Sequence, residues 1–343
     1  MSAPRLAVLR SGMVTALGLS APATCTALRA GLTNPSETRF ADAQGEWIMS
    51  YAVPLALRGR AKLVAMAAAA IEECLEGMPR EDWPKIALLL CVAERTRAGR
   101  CNGLEDTLLA EITQHLGADK FAAQSGVLPY GRVSCAVALR ESRKLLQAGT
   151  VSAVLIVAVD SLISAATLSA FEKDGRLLTP QNSDGFIPGE GACALLIGAE
   201  CSQPHLSISG LGFATETAFI GAEQPLRADG LTAAVSSALA DAGCAMHDLD
   251  FRITDISGEH YYFKEAALVL LRTLRQRKEE FDFWHPAEGI GETGSVIGPA
   301  LLAVASAAGK GGYAPGNAML LHAANDSGER AAIIAHYVTG HVQ

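Results

Sequence analysis

The chain has 343 residues, half of them hydrophobic, with few aromatics and 33 glycines. That composition suits a close-packed α/β protein with helices on both faces of a sheet, and the length suits two fused halves. The formal net charge of −8 excludes a broad basic footprint for nucleic acid. The longest uncharged apolar stretches, around 152–159 and 294–309, are too short or too rich in small residues for a membrane span, which takes about 20 apolar residues.

Residues 6–10 read as an opening strand. Ser20 is a good N-cap, with Pro22 early in the helix that follows to Leu32. Residues 33–56 read as irregular. A helix over 60–75 carries Leu63, Met66, Ala70, Ile71 and Leu75 on one face. Residues 85–92 form a continuous apolar run, the pattern of a strand buried on both faces. Leu104, Leu108, Ile112 and Leu116 repeat every four residues, and Gly117 closes that helix. A helix over 136–148 and buried strands over 152–159 and 192–197 complete the first half.

A second cycle starts near His205, with a strand over 206–212. Asp229 reads as the cap of a helix bearing Leu231, Val235 and Leu239, stopped by Gly243. A strand over 251–256, a helix over 263–274, a buried Ala-rich helix over 298–308 and strands over 318–323 and 331–336 follow. The expected halves are 1–203 and 204–343.

The eight cysteines, at 25, 74, 91, 101, 135, 193, 201 and 244, form no CxxC pair and lack a His at metal-ligand spacing. They read as small buried hydrophobes of a reducing compartment. The start, Met1-Ser2-Ala3-Pro4-Arg5, lacks the regions of a signal peptide, so a soluble, cytoplasmic protein is expected. No dinucleotide fingerprint, Walker motif or metal cluster stands in the sequence, and no cofactor or metal is expected.

The sharpest segment is Asp184-Gly185-Phe186-Ile187-Pro188-Gly189-Glu190-Gly191-Ala192. It is a glycine-framed turn feeding a strand, with a Glu placed to satisfy backbone amides. It resembles the DGF-x-x-GEGA motif of the β-ketoacyl synthases. Other segments match that family in order. Met13-Val14-Thr15-Ala16-Leu17-Gly18 with Leu28 and Gly31 is similar to its opening strand, turn and helix. Lys144-Leu145-Leu146-Gln147-Ala148-Gly149 resembles the helix after its nucleophile. Leu239-Ala240-Asp241-Ala242-Gly243 resembles the helix that opens its second half. Glu292-Thr293-Gly294-Ser295 with Gly298 resembles its TGH-x-x-G segment. The resemblance implies an α/β, thiolase-like fold of two stacked βαβαβαββ halves in five layers.

It also exposes what is changed. Condensing enzymes place a Cys at the N-terminus of a buried helix, where the dipole lowers its pKa, and add two groups that stabilise oxyanions. Counting back from Gly149 in the family's spacing, the nucleophile position falls on Arg132, which cannot act as a nucleophile. The two His positions fall on Ser257 and Ser295, and a family Lys falls near Ile290. The C-terminal glycine-rich loop is reduced to Asn325-Asp326-Ser327-Gly328-Glu329-Arg330.

A buried guanidinium at a helix N-terminus needs an anion, and Glu259 and Glu292 lie in the segments that would meet Arg132. Arg132 could alternatively hold a ligand's carboxylate or phosphate. Cys135, one turn further on, is the substitute nucleophile to weigh, with His260 as the nearest histidine. Three readings follow. One is a noncatalytic fatty-acid or polyketide-type synthase homologue. It would pair with itself or with an active ketosynthase, through the apolar stretch that begins at Ser152 and ends at Asp160, and could meet an acyl carrier protein. The second is an acyltransferase with a site rebuilt on Cys135 and His260. The third is a scaffold or accessory protein of a bacterial assembly such as a secretion system.

Overall fold

A computed structural model describes residues 4–117 and 121–340; Met1, Ser2 and Ala3 of the N-terminal segment lie outside the described residues. In chain order the elements are β1 (Leu6–Val14), α1 (Ala21–Arg29), β2 (Ser36–Ala41), β3 (Trp47–Ser50), α2 (Gly59–Cys74), β4 (Ile86–Cys91), α3 (Leu108–His115), β5 (Gly126–Leu128), α4 (Ser134–Gln147), β6 (Ala153–Ser161), α5 (Ala165–Lys173) and β7 (Glu190–Ala199). The second half continues with β8 (His205–Thr215), α6 (Asp229–Ala242), β9 (Phe251–Thr254), α7 (His260–Thr273), β10 (Asp282–Trp284), α8 (Ala287–Ile290), α9 (Ile297–Lys310), β11 (Ala318–Ala324) and β12 (Glu329–Val338).

The two halves repeat one strand order. The first runs β5-β4-β6-β7-β1 and the second β10-β9-β11-β12-β8. In each, the first strand and the two next to it pair antiparallel, and the outer strands pair parallel. A short antiparallel pairing of Leu6, Ala7 and Val8 with Ile208, Ser207 and Leu206 joins them into one ten-stranded sheet. The helices α4 and α9 lie between the halves, touching strands of both. Outside them, α2 covers the first half and α6 the second, which gives five layers.

The sequence explains this placement. The apolar runs of β4 and β6 are buried along almost their whole length because helices cover both faces. The Ala-rich α9 tolerates burial all round because small side chains let neighbouring elements approach. Two glycines bring the outer helices close. A Cβ on Gly12 of β1 would lie 2.1 Å from the Ala70 carbonyl of α2, and one on Gly212 of β8 would lie 1.9 Å from the Ala234 carbonyl of α6. Ser20 caps α1, its hydroxyl accepting from the Ala23 amide at 3.3 Å.

Several expectations need correction. Residues 33–56 hold the β2–β3 hairpin, whose polar composition hid its pairing. The helix expected from Leu104 starts at Leu108, although Leu104 is buried. Asp229 is the first residue of α6 rather than its cap; Ala228, in the left-handed region at φ 56°, precedes it, and Asp229 pairs with Arg272 at 2.6 Å.

Of the cysteines, 25, 74, 91, 135 and 193 are buried, 101 and 244 are half-buried, and Cys201 is exposed. The stretch from Ser152 to Asp160 also differs from expectation. Its strand β6 is hydrogen-bonded on one side to β4 and on the other to β7, so it has no free edge to pair across a two-fold axis. The outer strand of that half is β5. No helix among the described residues is long and apolar enough to cross a membrane.

Candidate functional site

After β5 the chain passes Tyr130 and a single 3-10 turn, Gly131–Val133, straight into α4. This puts Arg132 at the N-terminus of a buried helix, where the peptide dipole disfavours a cation. The side chain is only 7% exposed. Its Nη1 donates to Glu292 Oε2 at 3.1 Å, and its Nη2 donates to the Tyr262 hydroxyl at 2.9 Å and to Asp326. Nε lies 3.9 Å from Asp255, and the guanidinium sits 4.9 Å from the centre of the Tyr262 ring. Burial alone would lower the Arg132 pKa, but Tyr262, Asp326, Glu292 and Asp255 together raise it well above its ordinary value. The carboxylates therefore offset both burial and the dipole.

Two more arginines extend the cluster. Arg176 grips Glu259 with two bonds of 2.7 Å and shares Asp326 with Arg132. Glu259, expected against Arg132, is thus taken by Arg176. Arg97 grips Asp160 at 2.6 and 2.7 Å, and Asp160 also accepts from the backbone amide of Ser295 at 3.1 Å. Burial would raise the Asp326 pKa, yet Arg132, Arg176 and the Tyr262 hydroxyl hold it well below its ordinary value. Asp255 goes the other way: burial outweighs Arg132 and pushes it up to about 6.

The two serines at the expected His positions are used internally. The Ser257 hydroxyl donates to Glu292 at 3.0 Å. The Ser295 hydroxyl is buried and lies 3.3 Å from the carbonyls of Cys91 and Val159. Ile290 is fully buried at the end of α8. Neither a serine hydroxyl nor the Ile290 side chain gains or loses a proton near neutral pH as an imidazole does.

Cys135 and His260 are not placed to cooperate. Cys135 is 1% exposed, and a Cβ on Gly298 of α9 would lie 2.6 Å from its own Cβ. Burial raises its thiol pKa far above the ordinary range, so it stays protonated. His260 opens α7 with its side chain 80% exposed, and its amide donates to Asp184 at 2.7 Å.

The glycine-framed turn shapes the surroundings. Phe186 is buried edge-on against Phe171, with ring centres 5.0 Å apart, and Arg176 lies over both rings. The Gly189 amide donates to the Glu292 carbonyl at 2.8 Å, which fixes the backbone that carries Glu292. A Cβ on Gly185 would lie 2.6 Å from the Leu177 backbone, and one on Gly191 would lie 2.6 Å from the Val14 carbonyl. Glu190 accepts from the Val53 amide at 3.0 Å and the Ser161 hydroxyl at 2.8 Å, and pairs with Lys62.

A vestibule of about 730 Å³ opens above the cluster, walled by Arg97, Arg176, Glu259 and Asp326. The space below it, reaching Arg132 and Glu292, is about 20 Å³, enough for about one water. Three guanidiniums (Arg97, Arg132 and Arg176) face six carboxyl groups: Glu94, Asp160, Asp255, Glu259, Glu292 and Asp326. With anions in excess, the cluster is poorly suited to an anionic ligand on Arg132.

Sequence reasoning missed Arg97, Asp160, Arg176, Tyr262 and Asp326 as parts of this site. The one available signal was the surplus of charged residues in segments flanking the matched motifs.

No family model matches the sequence. A putative polyketide β-ketoacyl synthase 2 of Streptomyces cyaneus is 33% identical over 131 residues, which cover 36% of this chain and 30% of that protein. The match therefore spans less than a third of that relative. Among solved structures, a type II polyketide ketosynthase in complex with its acyl-carrier protein superposes with a TM-score of 0.80 at 14% identity, covering 98% of this chain and 100% of that one. A ketosynthase in complex with its chain length factor from Xenorhabdus doucetiae gives 0.77 at 14% identity, covering 98% of each chain. An oxazolomycin ketosynthase domain of Streptomyces albus gives 0.80 at 14% identity, covering 99% of this chain and 76% of that one. The chain thus shares the fold of these ketosynthases, a thiolase-like α/β fold.

Proposed function

We propose that the chain is a noncatalytic ketosynthase-like subunit of the cytoplasm, of fatty-acid or polyketide type. It acts by pairing with itself or with an active ketosynthase. The observation that carries this reading is the state of Arg132. At the position that the resemblance gives to the nucleophile, it is locked by Glu292, Asp326 and Tyr262, with space for about one water beside it. A group so held neither attacks a thioester nor leaves room for one. Chain length factors, which stand beside a ketosynthase in two of the similar structures, support the pairing role.

The surface that suits pairing is the edge of β5. Leu128 turns its carbonyl toward Val92 next to β4, so the N–H and C=O of Val127, one residue back, point to the open side. A two-fold pairing of this edge would extend the sheet across both copies. A rebuilt acyltransferase on Cys135 and His260 lacks support, since one group is sealed and the other is in solvent.

The test is mass spectrometry of the protein after incubation with a panel of acyl thioesters, beside Cys135→Ala, with sedimentation to read the assembly state. No adduct and a stable dimer or heterodimer are expected. An acyl adduct on the wild type that vanishes in Cys135→Ala would overturn the proposal.

A further inference from the structure

A second cavity lies away from the arginine cluster, between the end of α1, β10, α8 and α9. Its volume is about 480 Å³, within the range of small-ligand pockets. The interior wall is apolar, formed by Leu28, Trp284 and Val304 with the Cys25 thiol beside them. Burial, helped by Glu73, pushes that thiol up to about 11, so Cys25 serves as neutral apolar surface.

The charged lining differs in kind from the arginine cluster. Arg29, in the last turn of α1, lies on the Tyr313 ring at 4.3 Å from its centre. Among the described residues its guanidinium has no carboxylate or hydrogen-bond acceptor. Glu288 is 74% exposed, and His285 Nδ1 lies 3.0 Å from it.

We propose that this cleft binds a small amphipathic monocarboxylate. The hydrocarbon part lies against Leu28, Trp284 and Val304, and the carboxylate takes the open fork of Arg29. A guanidinium presents parallel N–H donors that match a carboxylate. Its contact with the Tyr313 ring, 4.3 Å from the ring centre, restrains the side chain before the ligand arrives, so less freedom is lost on binding. Glu288 repels a second negative charge and so favours a singly charged ligand over a doubly charged one. None of this depends on whether the replaced catalytic positions are inactive.

The experiment is a titration with decanoate below its micelle concentration, read by calorimetry and by the fluorescence of Trp284, with decanol as the uncharged control. Saturable binding of decanoate is expected, tighter than decanol by about tenfold or more. Arg29→Gln, at an exposed position, should abolish that preference and leave decanol unchanged. The fluorescence change should vanish in Trp284→Phe while the calorimetric signal remains. Absence of saturable binding, equal affinity for decanoate and decanol, or an unaltered preference in Arg29→Gln would each overturn the proposal.

Discussion

Arg132 and Glu292 meet at 3.1 Å across the interior, joining the turn before α4 to the turn before α9. By the sequence resemblance these turns correspond to those that carry a nucleophile and an oxyanion-stabilising group in a condensing enzyme, and here an ion pair ties them together. Arg132→Cys should therefore fail to restore acylation, because Ser257 and Ser295 supply no imidazole. It should also destabilise the fold by about 3–5 kcal/mol, since Glu292 and Asp326 lose a buried partner. Urea unfolding and acyl-adduct mass spectrometry check both parts. A stable variant that takes an acyl group would show that the ion pairs are dispensable.

Asp255 makes stability depend on pH in an unusual direction. Its folded pKa, about 6, lies above its ordinary 3.8 because burial outweighs Arg132. Between those values the folded state keeps a proton that the unfolded state has lost, so stability falls as pH rises and levels off above about 6. Asp255→Asn removes this penalty while its side-chain oxygen can still accept from the Ala324 amide. The variant should gain on the wild type between pH 4 and pH 7, by on the order of 2–3 kcal/mol. Unfolding free energies at four pH values test this, and a constant difference would contradict it. Asp326 acts oppositely: its pKa is lowered, so its contribution is present above the ordinary value and lost as pH falls through the folded one.

How far the sequence revealed the site depends on the range of each signal. The turn at Asp184 to Ala192 was legible because its glycines are required locally, by backbones passing within van der Waals distance. Arg132 was legible because its spacing to Gly149 survives. Its partners were not. Asp326 stands 194 residues away from Arg132, in a loop that looked only degraded, and Arg176 lies between α5 and the Asp184 turn, outside every matched motif. Periodicity describes which face of an element is apolar, and says nothing about which loops converge. The same limit hid that β6 has a strand on each side. The run of β6 is the more apolar, but apolarity there reports coverage by α2 and α4 and not an open edge.

A deeper anchor holds the loop that carries Asp326. Arg330, fully buried, binds Glu265 of α7 at 2.8 Å, the Tyr261 hydroxyl at 3.0 Å and the Asn325 carbonyl at 2.7 Å. Arg330→Ala should cost about 3–5 kcal/mol by leaving Glu265 buried without its cation. Replacing both, as Arg330→Met with Glu265→Leu, should recover much of that loss because neither charge is then stranded. Chemical denaturation of the two singles and the double forms the cycle. A double variant as unstable as the sum of the singles would mean that the loop needs these charges for reasons other than their pairing.

The edge of β5 offers the sharpest test of assembly. Val127 turns its N–H away from β4, so Val127→Pro removes a donor from the open edge without removing a bond to β4. Folding stability should change little, because the bond from Val92 to Leu128 remains. If two copies, or this chain and a ketosynthase, pair through that edge, the lost donor and the proline ring interrupt the continuous sheet. Dissociation should then strengthen by about tenfold or more, as expected for losing a ladder bond and the packing around it. Sedimentation at several concentrations, with circular dichroism to confirm folding, reads the two effects separately. An unchanged dimer in a folded Val127→Pro protein would move the pairing surface away from β5, and a monomeric wild type would remove the pairing role itself.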